Sequence, residues 1–342
     1  MPAGPGARGY DRSVLRRLTL VFAAVVVLAG IWLALTLIPS DHYIVLPDRA
    51  RPTDPLVEIP GEDAHTSEDG VYMVDVRIGR ASLLERIFPG IHDGADLLPE
   101  RAINPAGVSD RQRRRSSLNA MSRSQLIAIT VALRELGREV EVTPAGAEVV
   151  LVQPDTPADG ELEVGDLVVE AGGEEVGSTG DLRRATGDVT PGEDVDLTVE
   201  RGDETVELTL PTIASPDDAE RAVVGVQVQD AEEFEFPVDI EIDAGAIGGP
   251  SAGLAFALDI VDELGEDLDR GRKVVATGEL ALDGQVHPIG GVKQKAIGAR
   301  EAGADIFLVP DANAADARAA ADGLEVVAVS NFAEALTALA TS

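Results

Sequence analysis

Hydrophobic and polar positions follow four different patterns along the chain. From Leu18 to Ile38 no residue is charged and most are apolar. Such a run is long enough to cross a hydrocarbon core of about 30 Å at roughly 1.5 Å per residue. It predicts a transmembrane helix over residues 18–38. Residues 1–17 then form a basic, cytoplasmic N-terminus holding Arg8, Arg12, Arg16 and Arg17, because flanking arginines stay on the cytoplasmic side. A cleaved signal peptide is the competing reading. The apolar run exceeds a usual signal core of about 7–15 residues and no clean small-x-small site follows, which favours a single-pass anchor.

Residues 39–138 read as an extracytoplasmic segment. The stretch 40–70 is rich in Pro, Asp and Arg and predicts a tether with one strand at Tyr43 to Leu46. Val71 to Ile78 is a short β-type run. Leu126, Ile127, Ile129, Val131, Leu133 and Leu136 predict a buried helix ending at Gly137. The arginines between Arg111 and Arg115 read as a solvated loop in preference to a lipid-headgroup site. Over 139–212 the pattern changes to short strands separated by Gly/Pro turns, with a helix at Gly180 to Thr186 and a hairpin over Val195 to Leu210. Residues 213–342 alternate strands (Val238 to Ile242, Val274 to Thr277, Ala304 to Val309, Leu324 to Val329) with helices (Lys295 to Ala302, Phe332 to Leu339), the pattern of mixed α/β layers.

Composition narrows the function. With 28 basic and 61 acidic residues the net charge is −33, which argues against a nucleic-acid partner. The chain has no cysteine, so disulfides and thiolate chemistry are excluded. Its 4 histidines are scattered without an HExxH pattern, and no metal centre or other cofactor is expected. No G-x-x-x-x-G-K-[ST] motif occurs, so no ATP partner is expected.

The candidate chemistry sits in two glycine-flanked stretches. In Gly249-Pro250-Ser251-Ala252-Gly253, small residues around a serine permit a sharp turn and close substrate approach. The apolar run that follows predicts a helix whose free N–H groups point at whatever the hydroxyl attacks. In Gly290-Gly291-Val292-Lys293-Gln294-Lys295, two lysines follow a glycine pair, although Lys273, Lys293 and Lys295 are the only lysines of the chain. Lysine can lose its proton when buried and arginine cannot. The blander readings are Ser251 as a helix N-cap and Lys293 as an exposed ion-pair partner of Glu301 or Asp305. Gly249 to Gly253 also fits the G-x-S-x-G elbow of α/β-hydrolases, which would make His287 the base.

The ordered motifs GGPSAG (Gly248 to Gly253), TGEL (Thr277 to Leu280) and GQVHPIGGVKQK (Gly284 to Lys295) resemble the proteolytic domain of Lon-type proteases, over about residues 236–340. The resemblance implies Ser251 as nucleophile, Lys295 as base and Thr277 as the hydroxyl that orients the lysine, with Gly249, Pro250 and Ala252 supporting the turn. Many members carry an acidic residue where this chain has Gly248. Within 139–212, Val149 to Val152, Pro154 to Gly160 and Leu162 to Val169 resemble a bacterial PDZ domain. The carboxylate loop of such a domain is expected near Thr143 to Ala147, with Gly146, Ala147 and Val149 contacting the peptide, although Pro144 removes a donor there. A purely structural β module is the alternative.

Too few residues separate position 212 from Ser251 to build the sheet that should precede the nucleophile. The PDZ-like module is therefore expected to be inserted into a protease layer that begins before it. The combination resembles membrane-anchored, ATP-independent bacterial proteases with a PDZ domain and a Lon-like domain, acting on unfolded or extended polypeptides outside the plasma membrane. Such proteases often assemble into rings, so the resemblance implies a homo-oligomer. A non-catalytic anchored PDZ adaptor or scaffold is the rival function.

Overall fold

A computed structural model describes residues 12–61, 69–104, 108–265 and 267–341; Arg8 and the rest of the expected N-terminal segment up to residue 11 lie outside them. The chain forms two compact units, residues 1–46 with 78–103, and residues 47–77 with 104–342.

In the first unit, helix Arg12–Leu37 contains the uncharged run up to Leu37, and most of its large apolar side chains are exposed. Strand Pro39–Pro47 lies between Val76–Ser82 and Asp96–Pro99. It buries Tyr43, Ile44 and Val45 with Ala81 and Leu84. The single strand expected over 71–78 is in fact two, Gly70–Met73 and Val76–Ser82, in different sheets. Val74 and Asp75 break it.

The second unit is built on a five-stranded sheet in the order Arg51–Pro52, Gly70–Met73, Lys273–Ala276, Ile306–Pro310, Glu325–Val329, parallel except at its first pair. Side chains alternate between its faces. Val71, Met73, Val274, Ala276, Ile306 and Leu308 pack into one core with helices Asp110–Glu135 and Gly253–Leu264. Tyr72, Val275, Phe307 and Val309 pack into another, under helices Val292–Glu301 and Ala314–Ala321. Three layers result, helix–sheet–helix.

Several expectations change here. The stretch 40–70 is more than a tether, since its Thr53 is fully buried and Arg51–Pro52 joins the sheet. Arg111 to Arg115 form the opening turns of the 26-residue helix Asp110–Glu135, capped by Ser109, where a loop was expected. Arg114 and Arg115 are held by the Ala246 carbonyl and by Glu163. The strand expected over 238–242 is reduced to Glu241–Ile242, paired with Val57–Glu58.

The β module carries its own core, including Val149, Val168, Leu182, Val195, Leu197 and Leu210. Its sheet runs Glu204–Pro211, Asp194–Arg201, Leu167–Ala171, Glu141–Val152, Val226–Glu235. The last strand lies beyond the expected boundary at 212 and pairs with Glu141–Val152 along its whole length.

Candidate active site

Ser251 stands in a single 3-10 turn, Pro250–Ala252, that runs into helix Gly253–Leu264. The turn is clamped on both sides. Gly249, at φ +92°, donates its N–H to the Ser117 carbonyl at 2.7 Å, and Ser124 Oγ donates to the Pro250 carbonyl at 2.9 Å. Both serines belong to helix Asp110–Glu135. A side chain at 253 would run into Ser124 and Leu280, so a glycine is needed where the turn crosses them. A Cβ at position 248 would collide with Ser117. A larger side chain at 248 would therefore require helix Asp110–Glu135 or the turn to shift.

Thr277 follows the central strand Lys273–Ala276 and is fully buried. Its hydroxyl donates to the Ser251 carbonyl at 3.0 Å, and the Gly278 N–H donates to the same oxygen at 2.9 Å. Lys295 lies in the first turn of helix Val292–Glu301, opened by Gly291 at φ +70°. Only 2% of it is exposed. Its Nζ lies 2.6 Å from Ser251 Oγ and 2.9 Å from Thr277 Oγ1.

Burial penalises the ammonium form and lowers the Lys295 pKa to about 8, against a partial upward pull from the Asp75 carboxylate. Asp75 was not foreseen. It sits in the break between the two strands, flanked by Val74 and Val76. These pack against helix Val292–Glu301, so closely that a Cβ at Gly298 or Gly291 would press on their side chains. Burial raises the Asp75 pKa, offset by the Arg51 guanidinium, whose Nη2 is 3.5 Å from Oδ2, while Oδ1 is buried without a hydrogen bond.

The other candidates fall elsewhere. His287 is exposed on the small hairpin of Glu279–Leu280 with Val286–His287, and among the described residues no hydrogen bond links it to Ser251. Lys293 is half-buried, not exposed as expected. Gly146, Ala147 and Val149, expected at the peptide, do not lie on a free sheet edge. They belong to an interior strand whose two edges are taken by Val226–Glu235 and Leu167–Ala171. A Cβ on Gly146 would come within 2.6 Å of the Val168 carbonyl, so that glycine serves strand packing.

The edge strands of the sheet are Glu204–Pro211 and Val226–Glu235. Between Val226–Glu235 and helix Thr179–Gly187 lies a cavity of about 340 Å³, lined by Val168, Leu182, Leu197, Ala222, Val226 and Val228. Gly225, at φ +94° against Thr156, turns the chain into that edge. The signal in the sequence is Val223-Val224-Gly225-Val226, a glycine between apolar residues at the start of a strand.

The layered fold thus brings a serine turn, a buried threonine and a buried lysine together at one end of the central sheet. Residues 213–341 match the Lon protease (S16) C-terminal proteolytic domain, and residues 134–212 match the PDZ domain. Among curated relatives, the Lon protease of Roseiflexus castenholzii is 43% identical over 83 residues, which are 24% of this chain and 10% of that protein. Lon protease 2 of Bacillus subtilis is 38% identical over 103 residues, 30% of this chain and 18% of that protein. The chain thus aligns with only a small part of these relatives' length. The PDZ domain of the SdrC-like protein of Listeria monocytogenes aligns with 26% of this chain and 92% of that structure, at 24% identity and a TM-score of 0.24.

Proposed function

We propose that this chain is a membrane-anchored serine endopeptidase that works without ATP through a Ser251–Lys295 dyad. The observation that carries the reading is a fully buried amine 2.6 Å from the serine hydroxyl. A serine hydroxyl is a poor nucleophile until a base takes its proton. A lysine with its pKa lowered to about 8 is neutral in a useful fraction near neutral pH. In the reactive state the Ser251 hydroxyl donates to the neutral Nζ. As Oγ bonds to the scissile carbonyl carbon, its proton passes to Nζ. The ammonium then returns a proton to the leaving amine as the C–N bond breaks. Water, deprotonated by Nζ, hydrolyses the resulting ester.

Thr277 holds Nζ in line by its 2.9 Å contact. Backbone N–H groups around Ser251 stabilise the oxyanion, worth about 3–4 kcal/mol per donor in comparable sites.

Helix Arg12–Leu37 is the anchor, with its basic start in the cytoplasm and both domains outside the plasma membrane. The PDZ domain is inserted into the protease fold. Strand Gly70–Met73 and helix Asp110–Glu135, which support the nucleophile layer, both precede it in the chain. Polypeptide is captured by strand addition at the edge of Val226–Glu235, with an apolar side chain in the adjoining cavity.

The test is cleavage of casein by the full chain in detergent without ATP. Ser251→Ala and Lys295→Ala are expected to lose about 10³-fold or more, with His287→Ala and Lys293→Ala still active. Val226→Arg is expected to slow casein cleavage while sparing a short peptide. Wild-type protein that neither cleaves nor reacts with a serine-directed covalent probe would instead favour the adaptor reading.

A further inference from the structure

The described surface outside the apolar helix has one dense set of large exposed apolar residues, and it lies in the first unit. Ile87, Phe88 and Ile91 are 55%, 54% and 46% exposed, and they stand within five consecutive residues, Ile87-Phe88-Pro89-Gly90-Ile91. Scattered single apolar residues on a surface need no explanation; a contiguous cluster marks a contact with something apolar. Its flanks are firmly built. Ser82 and Glu85 form a reciprocal capping box at the start of the short helix Leu83–Ile87, whose Leu84 is buried in the unit. The cluster is therefore presented by a fixed turn and not by a frayed end.

What covers it follows from its place. The Leu83 N–H donates to the Ile38 carbonyl at 2.9 Å, and Ser40 Oγ donates to the Ala81 carbonyl at 2.8 Å. These bonds fasten the start of the short helix to the exit of the long apolar one. Helix Leu83–Ile87 packs alongside helix Arg12–Leu37. Leu37 and Ile38 are themselves exposed. The surface of the long helix and that of the 87–91 turn thus adjoin.

Polar groups flank the turn. Arg86 pairs with Asp41, and His92 Nε2 is 3.1 Å from Glu85 Oε1. An aromatic ring and aliphatic side chains beside charged groups suit a membrane–water interface, where apolar bodies enter lipid and polar ends stay wet.

We propose that Ile87, Phe88 and Ile91 insert into the outer leaflet beside the exit of the transmembrane helix, giving the first unit a second, shallow contact with lipid. The inference rests on the proposed membrane span. Trp32 is the one tryptophan of the chain and lies within that span, so it serves as an internal reference.

The experiment uses the full chain reconstituted in phosphatidylcholine vesicles whose acyl chains carry bromine at a shallow or a deep position. Wild-type Trp32 emission reports the span. A Trp32→Phe, Phe88→Trp double variant reports the turn. The proposal expects blue-shifted emission from the new tryptophan, loss of that emission to shallow bromines more than to deep ones, and little loss to aqueous iodide. Adding Ile87→Ser and Ile91→Ser should return the emission towards that of exposed indole. If Trp32 responds to bromine but the Phe88→Trp reporter responds only to iodide, the turn is in water and the inference is wrong while the span stands. A blue shift that ignores bromine but grows with protein density in the vesicles means contact with a second copy, and also overturns it. Absence of bromine quenching at Trp32 overturns the span, and the turn's insertion with it.

Discussion

The chemistry of single residues here is set by burial. Lys295 is held to a pKa of about 8 because its ammonium form is desolvated. Asp259, on the nucleophile helix, shows the same physics with the opposite charge. Desolvation first, and then the nearby Glu263, Asp54 and Asp262 carboxylates, push its pKa well above the ordinary value, against a hydrogen bond from Thr53. Asp262 is likewise raised, to about 6, chiefly by burial. A carboxyl whose folded-state pKa lies above its unfolded value binds more protons in the folded state. Each therefore contributes a loss of stability as pH rises from about 4 towards the raised value. Replacing Asp259 by Asn removes the charge and keeps the shape. The expected result is a gain of about 1 kcal/mol or more at pH 7 and little gain at pH 4, read from chemical unfolding.

At the scale of elements, the site depends on helix Asp110–Glu135 gripping the serine turn from behind. Position 248 is the sharpest case, since even a methyl group there meets Ser117. Gly248→Ala is expected to cost about 1–3 kcal/mol by overpacking and to slow cleavage by displacing the turn. A Ser117→Gly second change should restore part of both, measured by unfolding and casein cleavage together.

Ser251 and Lys295 stand out in sequence because each sits in a glycine-punctuated motif, while Thr277 enters only through the family resemblance; the fold brings the three side chains into contact. Asp75 does not stand out. It lies in an apolar run that reads as one strand, and nothing local marks the break that turns the chain towards helix Val292–Glu301. The surroundings of Gly146, Ala147 and Val149 were hidden for a related reason. Gly146 resembles a loop glycine in sequence, yet it is a close-packing position on an interior strand. The edge beside the cavity comes from residues 226–235, whose pairing with Glu141–Val152 spans a long sequence separation.

On the scale of the whole molecule, the layered α/β class and the β module were legible from the change in periodicity near residue 139. The supporting role of residues 47–58 was not, because Pro- and Asp-rich sequence conceals Thr53, a fully buried residue tied to Asp259 at 2.7 Å. The protease sheet takes strand Gly70–Met73 beside Lys273–Ala276. A fragment starting at about residue 212 lacks that strand and the whole of helix Asp110–Glu135. It is expected to be unfolded by circular dichroism and inactive, and a stable, active fragment would refute the inserted arrangement.

The central claim is that Lys295 is the base for Ser251. It is tested most directly by the rate at which a fluorophosphonate labels Ser251 as a function of pH. The account predicts a rate that rises with pH through one ionisation near 8. Asp75→Asn should move that midpoint lower, because it removes the anion that favours the charged amine. His287→Ala should leave it unchanged. Lys295→Ala and Lys295→Arg should nearly abolish labelling in folded protein. Labelling of Lys295→Ala at the wild-type rate, or a midpoint that vanishes with His287, would contradict it.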